Sequence, residues 1–238
     1  MKSKRIKIFY KLSSYLFTNS FFIVKTRLLS CALDFISMQK SPGKLLDIGS
    51  GAAPYKDLYR DDIEIIDIDN NASRNPTVVG DAHALPFENN SFEYITCYEV
   101  LEHVLDPSSV TKEISRVMIP GGICGISAPM SWGLHYEPFD FRRFTKYGLR
   151  KLMEDNDLEV IYEKKIGGLY SFFFSRNLDL LFTFLRSIPP ISLLPYRGHI
   201  IVILFSPVTL ALSLLCYILD FLSKEDAIGW FVIAKKKA

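Results

Sequence analysis

Apolar runs that end in an acid recur along the first half of the chain. Lys44–Ile48 (KLLDI) carries Asp47 into a glycine turn, and Ile63–Ile68 (IEIIDI) runs into Asp69. Short apolar runs bounded by turn residues, without strict polar alternation, are the pattern of strands buried on both faces of a parallel sheet. Thr77–Val79, Phe92–Tyr98 and Gly122–Ser127 repeat it, the last entered through Pro120-Gly121-Gly122. Asp106–Met118 changes period: its apolar positions fall on one helical face, with Asp106 placed as N-cap and Pro107 in the first turn. Thr145–Asp155 is a second helix of this kind, capped by Thr145 with Leu149, Leu152 and Met153 inward; Leu158–Lys164 and Ile228–Ala234 complete the strands. This alternation predicts an α/β protein with a Rossmann-like, seven-stranded, mostly parallel sheet and helices on both faces.

The pattern fails between strands six and seven, where about sixty residues intervene, a length that usually carries function. Leu169–Leu185 is apolar but interrupted by Arg176 and Asp179, and Pro189, Pro190 and Pro195 break the path beyond it. Ile200–Leu219 is then a run of twenty uncharged residues, the length of a membrane span. A single crossing would strand the seventh strand on the far side of the bilayer from the first. The expected structure is therefore a shallow hairpin bending near Pro207 and lying at the membrane interface, with the basic segment Lys2–Phe17 as a second contact. A lid or a homodimer face is the alternative use of such a surface. The expected division is a basic, amphipathic helical segment at 1–40, the sheet domain at 41–165 and 228–238, and the apolar insertion at 166–227.

Composition narrows the classes. A net charge of +2 over 238 residues advertises no nucleic-acid partner. Mean hydropathy of +0.16, with 49% hydrophobic residues, agrees with a protein that touches lipid. Cysteines at 31, 97, 124 and 216 show no metal-type spacing, which fits reduced thiols, Cys97 as a core thiol. The basic start is followed by Lys11, Lys25 and Arg27 and by no small-residue cleavage site, so a cytoplasmic, peripheral or monotopic location is expected.

The first strand delivers LDIGSGAAPY, Leu46–Tyr55. Gly-x-Gly after a strand lets backbone N–H groups approach a ligand closely. A dinucleotide turn wants a third glycine where this chain has Pro54, so pyrophosphate binding, and with it a nucleotide-binding oxidoreductase, is disfavoured. Asp47 suits a cationic ligand, Asp69 is spaced to accept from ribose hydroxyls, and Asp81 in GDAHALPF is placed for an adenine amino group. Asp67 is the alternative ribose ligand, and Asp81 could equally cap a turn. A cationic adenosine derivative without a pyrophosphate satisfies all three acids.

LDIGSGA, IIDID, GDAHALPFENNSFEYITCYEVLEHVLDP and EISRVMIPGG, in that order, resemble the successive motifs of class I S-adenosylmethionine-dependent methyltransferases of the type 11 kind, over roughly Lys44–Ala128. The resemblance implies S-adenosylmethionine as cofactor, with Asp47, Gly49 and Gly51 around its methionine part, Asp69 on the ribose, and Asp81 with the Ala82 backbone on the adenine. Two departures stand out: Ala53 at a third small position, and so few residues between Asp69 and the third strand that a helix is missing there. The intact acids argue against a cofactor-binding module without turnover.

Methyl transfer from a sulfonium is an in-line displacement, so positioning supplies much of the rate, and a base is needed only where the acceptor must lose a proton. In Glu99-Val-Leu-Glu102-His103, at the end of the fourth strand, His103 is a candidate base with Glu99 on the acceptor side; a structural His–Glu contact is the plainer reading. The spacing also resembles the metal-associated site of ubiquinone-pathway O-methyltransferases; because VLEHV is widespread in methyltransferases that need no metal, a divalent cation is kept as the lesser alternative and no metal ligand is assigned. Ser127–Leu152 (SAPMSWGLHYEPFDFRRFTKYGLRKL) lies where the acceptor enters, and its H-x-E-P-x-D-F-x-R-F-T run resembles methyltransferases associated with surface-polysaccharide biosynthesis. That resemblance marks His135, Glu137, Asp140 and Arg143 as acceptor-side residues. His135 is a second candidate base, the acids suit sugar hydroxyls, Arg142 or Arg143 suits a carboxylate or phosphate, and Trp132 and Tyr136 suit stacking. A closing flap pinned by its own Asp–Arg pairs is the competing reading. The expected function is O-methylation of a lipid-linked glycan or another lipophilic or small-molecule acceptor at a membrane surface.

Overall fold

The computed structural model describes residues 21–188, 208, 211–212, 214–216, 218–222 and 226–237. The expected Lys2–Phe17 contact, the prolines 189, 190 and 195, and most of the Ile200–Leu219 run with Pro207 lie outside the described residues.

Helix α1 (Phe21–Met38) leads to β1 (Gly43–Ile48), β2 (Ile63–Asp69), β3 (Val78–Val79) and β4 (Phe92–Tyr98). Then follow α2 (Pro107–Val117), β5 (Met118–Pro129), α3 (Lys146–Glu154), β6 (Leu158–Ile166), α4 (Leu169–Ser187) and β7 (Gly229–Lys236). The strands form one seven-stranded sheet in the order β3-β2-β1-β4-β5-β7-β6, with β7 antiparallel to β5. The order reverses between β1 and β4, the position where open α/β sheets leave a crevice beyond their carboxyl ends. Register places Asp47 of β1 level with Asp67 of β2 and Thr96 of β4, so the acids of successive strands reach the same edge together.

Strand positions follow from side-chain chemistry. Leu45, Leu46, Ile48, Ile95, Ile126 and Phe231 are buried, which explains the lack of polar alternation. Both helix starts are as the sequence predicts: Asp106 accepts from Ser108 N–H, Pro107 opens α2, and Thr145 accepts from Gly148 N–H to cap α3. The structure lengthens β5, which begins at Met118 and runs through Pro120-Gly121-Gly122 rather than starting after it, with a register irregularity opposite Phe92–Tyr94. The connection from β2 to β3 holds only a 3-10 turn, Ala72–Arg74, in keeping with the helix missing from that interval. The glycine turn after β1 likewise leads into a three-residue 3-10 turn, Lys56–Leu58, rather than a full helix.

The chain divides into two compact units, residues 31–165 with 229–238 and residues 1–30 with 166–228; the cut falls within α1 rather than at residue 40. The first unit contains nearly the whole sheet. In the second, α4 turns Ser171, Ser175 and Leu178 inward, while Phe173, Leu180, Leu181 and Phe184 are exposed alongside Arg176, Asn177, Thr183 and Ser187. Asp220 is buried in this unit; it accepts from Gly168 N–H at 2.9 Å and Ser171 N–H at 3.1 Å and pairs with Arg27 at 3.3 Å, capping α4 from a distant part of the chain. Described residues beyond 188 add Val208, Leu214, Ile218, Phe221 and Leu222 to the exposed apolar surface. No described helix is long and apolar enough to cross a membrane.

Candidate active site

The cofactor side is built by the ends of β1 and β2. Gly49 (φ +64°) and Gly51 (φ +54°) both occupy the left-handed region that other residues resist. A Cβ on Gly49 would sit 2.4 Å from Val100 Cγ2, so glycine lets the β1 and β4 loops close on each other. A Cβ on Gly51 would meet nothing within 4 Å: it would project into open space, where a ligand fits. Gly51 N–H donates to Asp69 Oδ2 at 2.9 Å and Asn71 N–H to Asp69 Oδ1 at 2.8 Å, aiming that carboxylate across the turn. Ala53 shares the positive φ, at +44°, and stands in the strained conformation that a glycine adopts without penalty.

Asp67 has a different duty. It is buried and accepts from Thr77 Oγ1 at 2.6 Å and Thr77 N at 3.2 Å, and pairs with Lys56 Nζ at 3.2 Å. It ties β2 to its neighbours and leaves Asp69 as the acid toward the crevice. Asp47 accepts from Thr96 Oγ1 at 2.7 Å. Burial pushes its carboxyl up to about 7, and the nearby Asp67 and Asp69 carboxylates add to the shift against the Thr96 hydrogen bond. Asp81 is exposed; its Oδ1 accepts from His83 N–H at 2.9 Å and lies 2.7 Å from His83 Nδ1, while Ala82 sits inside the turn closed by Ala84 N–H on Asp81 O. The turn-capping reading of Asp81 is thus present in the structure, and an adenine contact would use its remaining oxygen.

The acceptor side is built by the β4 end and the 130–145 loop. Glu99 takes φ +55° at the strand end, its N–H donates to Ser127 Oγ at 3.1 Å, and Ser127 Oγ donates back to Glu99 Oε1 at 2.7 Å. Burial, followed by the Glu102 charge, holds the Glu99 carboxyl above the ordinary range. The loop is stapled to the next turn, with Phe141 N–H donating to Glu102 O at 2.8 Å and Arg142 Nη1 to Val104 O at 2.9 Å. This brings His103 and His135 together edge to face, with ring centres 4.8 Å apart. His103 Nδ1 lies 2.6 Å from Phe139 O, and His135 Nδ1 lies 3.2 Å from Gly133 O. A carbonyl only accepts, so each Nδ1 is the donor there, which leaves each Nε2 free to face the site. Both Nε2 atoms face Glu102 Oε1, at 3.6 Å and 3.7 Å, ion-pair rather than hydrogen-bond distances. Glu102 is 0% exposed and neither of its carboxylate oxygens has a hydrogen-bond partner. The Glu102 carboxylate raises the His135 imidazole above its ordinary pKa, partly offset by burial.

The Asp–Arg pinning that the sequence offers as the competing reading is present in this loop. Asp140 and Arg143 engage each other bidentately, at 2.6 Å and 2.8 Å, and Asp140 also accepts His135 N–H at 2.9 Å. The rest of the Arg143 fork goes to Trp132 O and Gly133 O. These bonds tie the loop together and position His135. Trp132 is half-buried, Glu137 lies exposed before a cis peptide to Pro138, and Tyr136 is exposed with its ring 5.3 Å from that of His103. Leu105, Leu134, Phe139 and Phe141 are likewise exposed beside this turn and loop, giving the site an apolar rim. Glu102 enters the sequence reading only within the Glu99–His103 run and is given no role of its own there; its adjacency to His103 was the available signal.

Residues 46–126 match the methyltransferase domain family. A ubiquinone/menaquinone biosynthesis C-methyltransferase of Desulfotalea psychrophila is 38% identical over 73 residues, 30% of this chain and 29% of that protein. A demethylmenaquinone methyltransferase of Staphylococcus aureus is 50% identical over 46 residues, 19% of each. The matched segment spans less than a third of these curated relatives. Among solved structures, the [4+2]-cyclase SpnF aligns with a TM-score of 0.58 at 17% identity, covering 99% of this chain and 96% of that one. Haemonchus contortus phosphoethanolamine N-methyltransferase 2, in complex with S-adenosylmethionine, aligns at 0.54 and 16% identity, over 90% of this chain and 52% of that one. Residues 46–126 are thus similar to a methyltransferase domain, set on a seven-stranded α/β sheet whose fold these solved structures share. A cyclase on the same fold shows that the architecture alone does not name the reaction.

Proposed function

We propose that the chain transfers a methyl group from S-adenosylmethionine to an oxygen of a lipophilic acceptor at the cytoplasmic face of a membrane, with a lipid-linked glycan as the leading acceptor. The observation that carries this reading is the paired His103 and His135 imidazoles on buried Glu102, opening onto an apolar rim. An acceptor hydroxyl placed there gives its proton to an Nε2 atom, whose positive charge the Glu102 carboxylate stabilises, while its oxygen attacks the sulfonium methyl in line. Asp47 would face the cofactor's α-ammonium and Asp69 its ribose hydroxyls.

The membrane part of the proposal draws support from α4, which exposes Phe173, Leu180, Leu181 and Phe184 while Ser171 and Ser175 face inward. A quinone-type ring is a second acceptor reading, favoured by the Tyr136–Phe139–Phe141 rim and by what the matched relatives are named for. A second copy of the chain is the alternative partner for the α4 face. Incubation with methyl-labelled cofactor and cell lipid extract tests the reaction: label in a glycolipid fraction supports the leading acceptor, label in a quinone fraction the second, and no labelled lipid overturns both. For the membrane, sedimentation with vesicles in high salt is expected, and a monodisperse chain in detergent-free buffer that ignores vesicles would sink that part.

A further inference from the structure

We propose that Glu102 Oε1, His103 Nε2 and His135 Nε2 bind one divalent transition-metal ion of the zinc type. The inference rests on the acceptor-site reading and adds the ion that the site is built to hold. Three electron-rich atoms converge here. Phe139 O holds the proton of His103 on Nδ1, and Gly133 O does the same for His135, with Asp140 Oδ2 at 3.4 Å behind it. Both Nε2 atoms are thereby directed at one carboxylate oxygen, a three-donor grouping that would hold a cation placed among them. The Glu102 side chain is fully buried without a hydrogen bond, with the two imidazoles only at ion-pair distance, and a buried carboxylate is costly unless closely paired.

The spacing suits a metal. The three atoms lie within 4.8 Å of one another, and Glu102 Oε1 is 3.6 Å and 3.7 Å from the two nitrogens. Tetrahedral ligands about 2.1 Å from zinc stand roughly 3.4 Å apart, so small side-chain rotations close the set. Two imidazoles and one carboxylate select zinc, cobalt, nickel or iron over magnesium and calcium, which prefer oxygen alone. Carbonyl and carboxylate partners on the far ring nitrogens are the outer contacts that metal-binding histidines use. Glu99 stays out of the set because Ser127 holds its Oε1, so the third ligand comes from the 130–145 loop and not from the nearer acid in the sequence. Such a donor set leaves a coordination position open, and a hydroxyl bound there loses its proton to solvent more readily. While the ion is bound the imidazoles serve as ligands; when it is absent, the same pocket holds a shared proton.

The test is a Co2+ titration of the full-length chain in mild detergent after dialysis against a chelator. A visible ligand-field band reaching its endpoint at one Co2+ per chain is expected, displaced by Zn2+ and unaffected by millimolar Mg2+. His103→Ala and His135→Ala should each weaken Co2+ binding at least a hundredfold while S-adenosylhomocysteine affinity stays within twofold. Glu102→Gln should do the same, but that side chain is buried, so the two histidine variants decide the matter if it fails to fold. No one-to-one band, or a band unchanged in both histidine variants, overturns the metal site and leaves the shared proton as the compensating charge. Calorimetry with S-adenosylhomocysteine on the same samples separates failure of the metal site from failure of the methyltransferase reading.

Discussion

The two sides of the crevice are built on opposite principles. On the cofactor side each acid has protein partners: Asp69 takes two backbone N–H groups, Asp67 takes Thr77 and Lys56, and Asp47 takes Thr96. On the acceptor side, Glu102 is buried with no hydrogen bond, Glu99 sits at positive φ, and two imidazoles face Glu102 only at ion-pair distance. The first arrangement is a preformed socket whose carboxylates are aimed before the ligand arrives. The second gathers a buried carboxylate and two imidazoles with no hydrogen bond to the carboxylate, a centre suited to a proton, an ion or a substrate. Backbone-held acids suit recognition of a constant cofactor; an uncompensated centre suits chemistry.

The sharpest break of this contrast is the double variant His103→Ala with His135→Ala. It should lower methyl transfer by at least a hundredfold while S-adenosylhomocysteine affinity changes less than twofold, read by label incorporation and calorimetry. Retained activity would mean that the uncompensated centre is not where the acceptor reacts.

Next come the glycines of the socket. Gly49→Val meets Val100 at 2.4 Å as well as an unfavourable φ, and should abolish cofactor binding together with much of the fold's stability. Gly51→Ala is the cleaner probe, since its Cβ meets no protein atom within 4 Å. Its conformational cost is about 1–2 kcal/mol, so the melting temperature should fall modestly while cofactor affinity drops tenfold or more. Normal binding by Gly51→Ala would remove the loop from the cofactor site.

A smaller effect concerns pH. Asp47 rises from 3.8 to about 7 in the folded chain, so an ammonium beside it favours the ionised form and binding releases a proton. Cofactor affinity should therefore fall by up to about tenfold per pH unit below pH 7 and level off above it, and Asp47→Asn should erase the slope. For the unliganded fold the sign is the reverse: a raised acid costs stability as pH rises from about 4 to 7, with no further loss above. Thermal melts of the wild type and Asp47→Asn across that window check it.

The smallest expected effect is at Arg143→Lys, which removes the bidentate hold on Asp140 and loosens the loop carrying His135. A several-fold rise in the acceptor KM, with cofactor affinity unchanged, marks a positioning role. An equal loss on both sides would make the loop part of the socket.

The residue pattern determined the sheet domain almost strand by strand. Buried parallel strands leave near-continuous apolar runs, and caps such as Asp106 and Thr145 act within a few residues of themselves, so both are local signals. The glycine turn and the succession of acids after β1 and β2 were legible for the same reason: each depends on its own strand end. Tertiary structure alone decided the duties of the acids and the composition of the acceptor centre. Asp67 and Asp69 are two residues apart on one strand, yet only the approach of Thr77 and Lys56 turns one inward as a brace. His135 reaches His103 because the 130–145 loop is tied back through Phe141, Arg142 and the Asp140–Arg143 pair, contacts between distant parts of the chain. The buried charge of Glu102 exists only once that loop has closed over it, because desolvation is a property of surroundings and not of a residue.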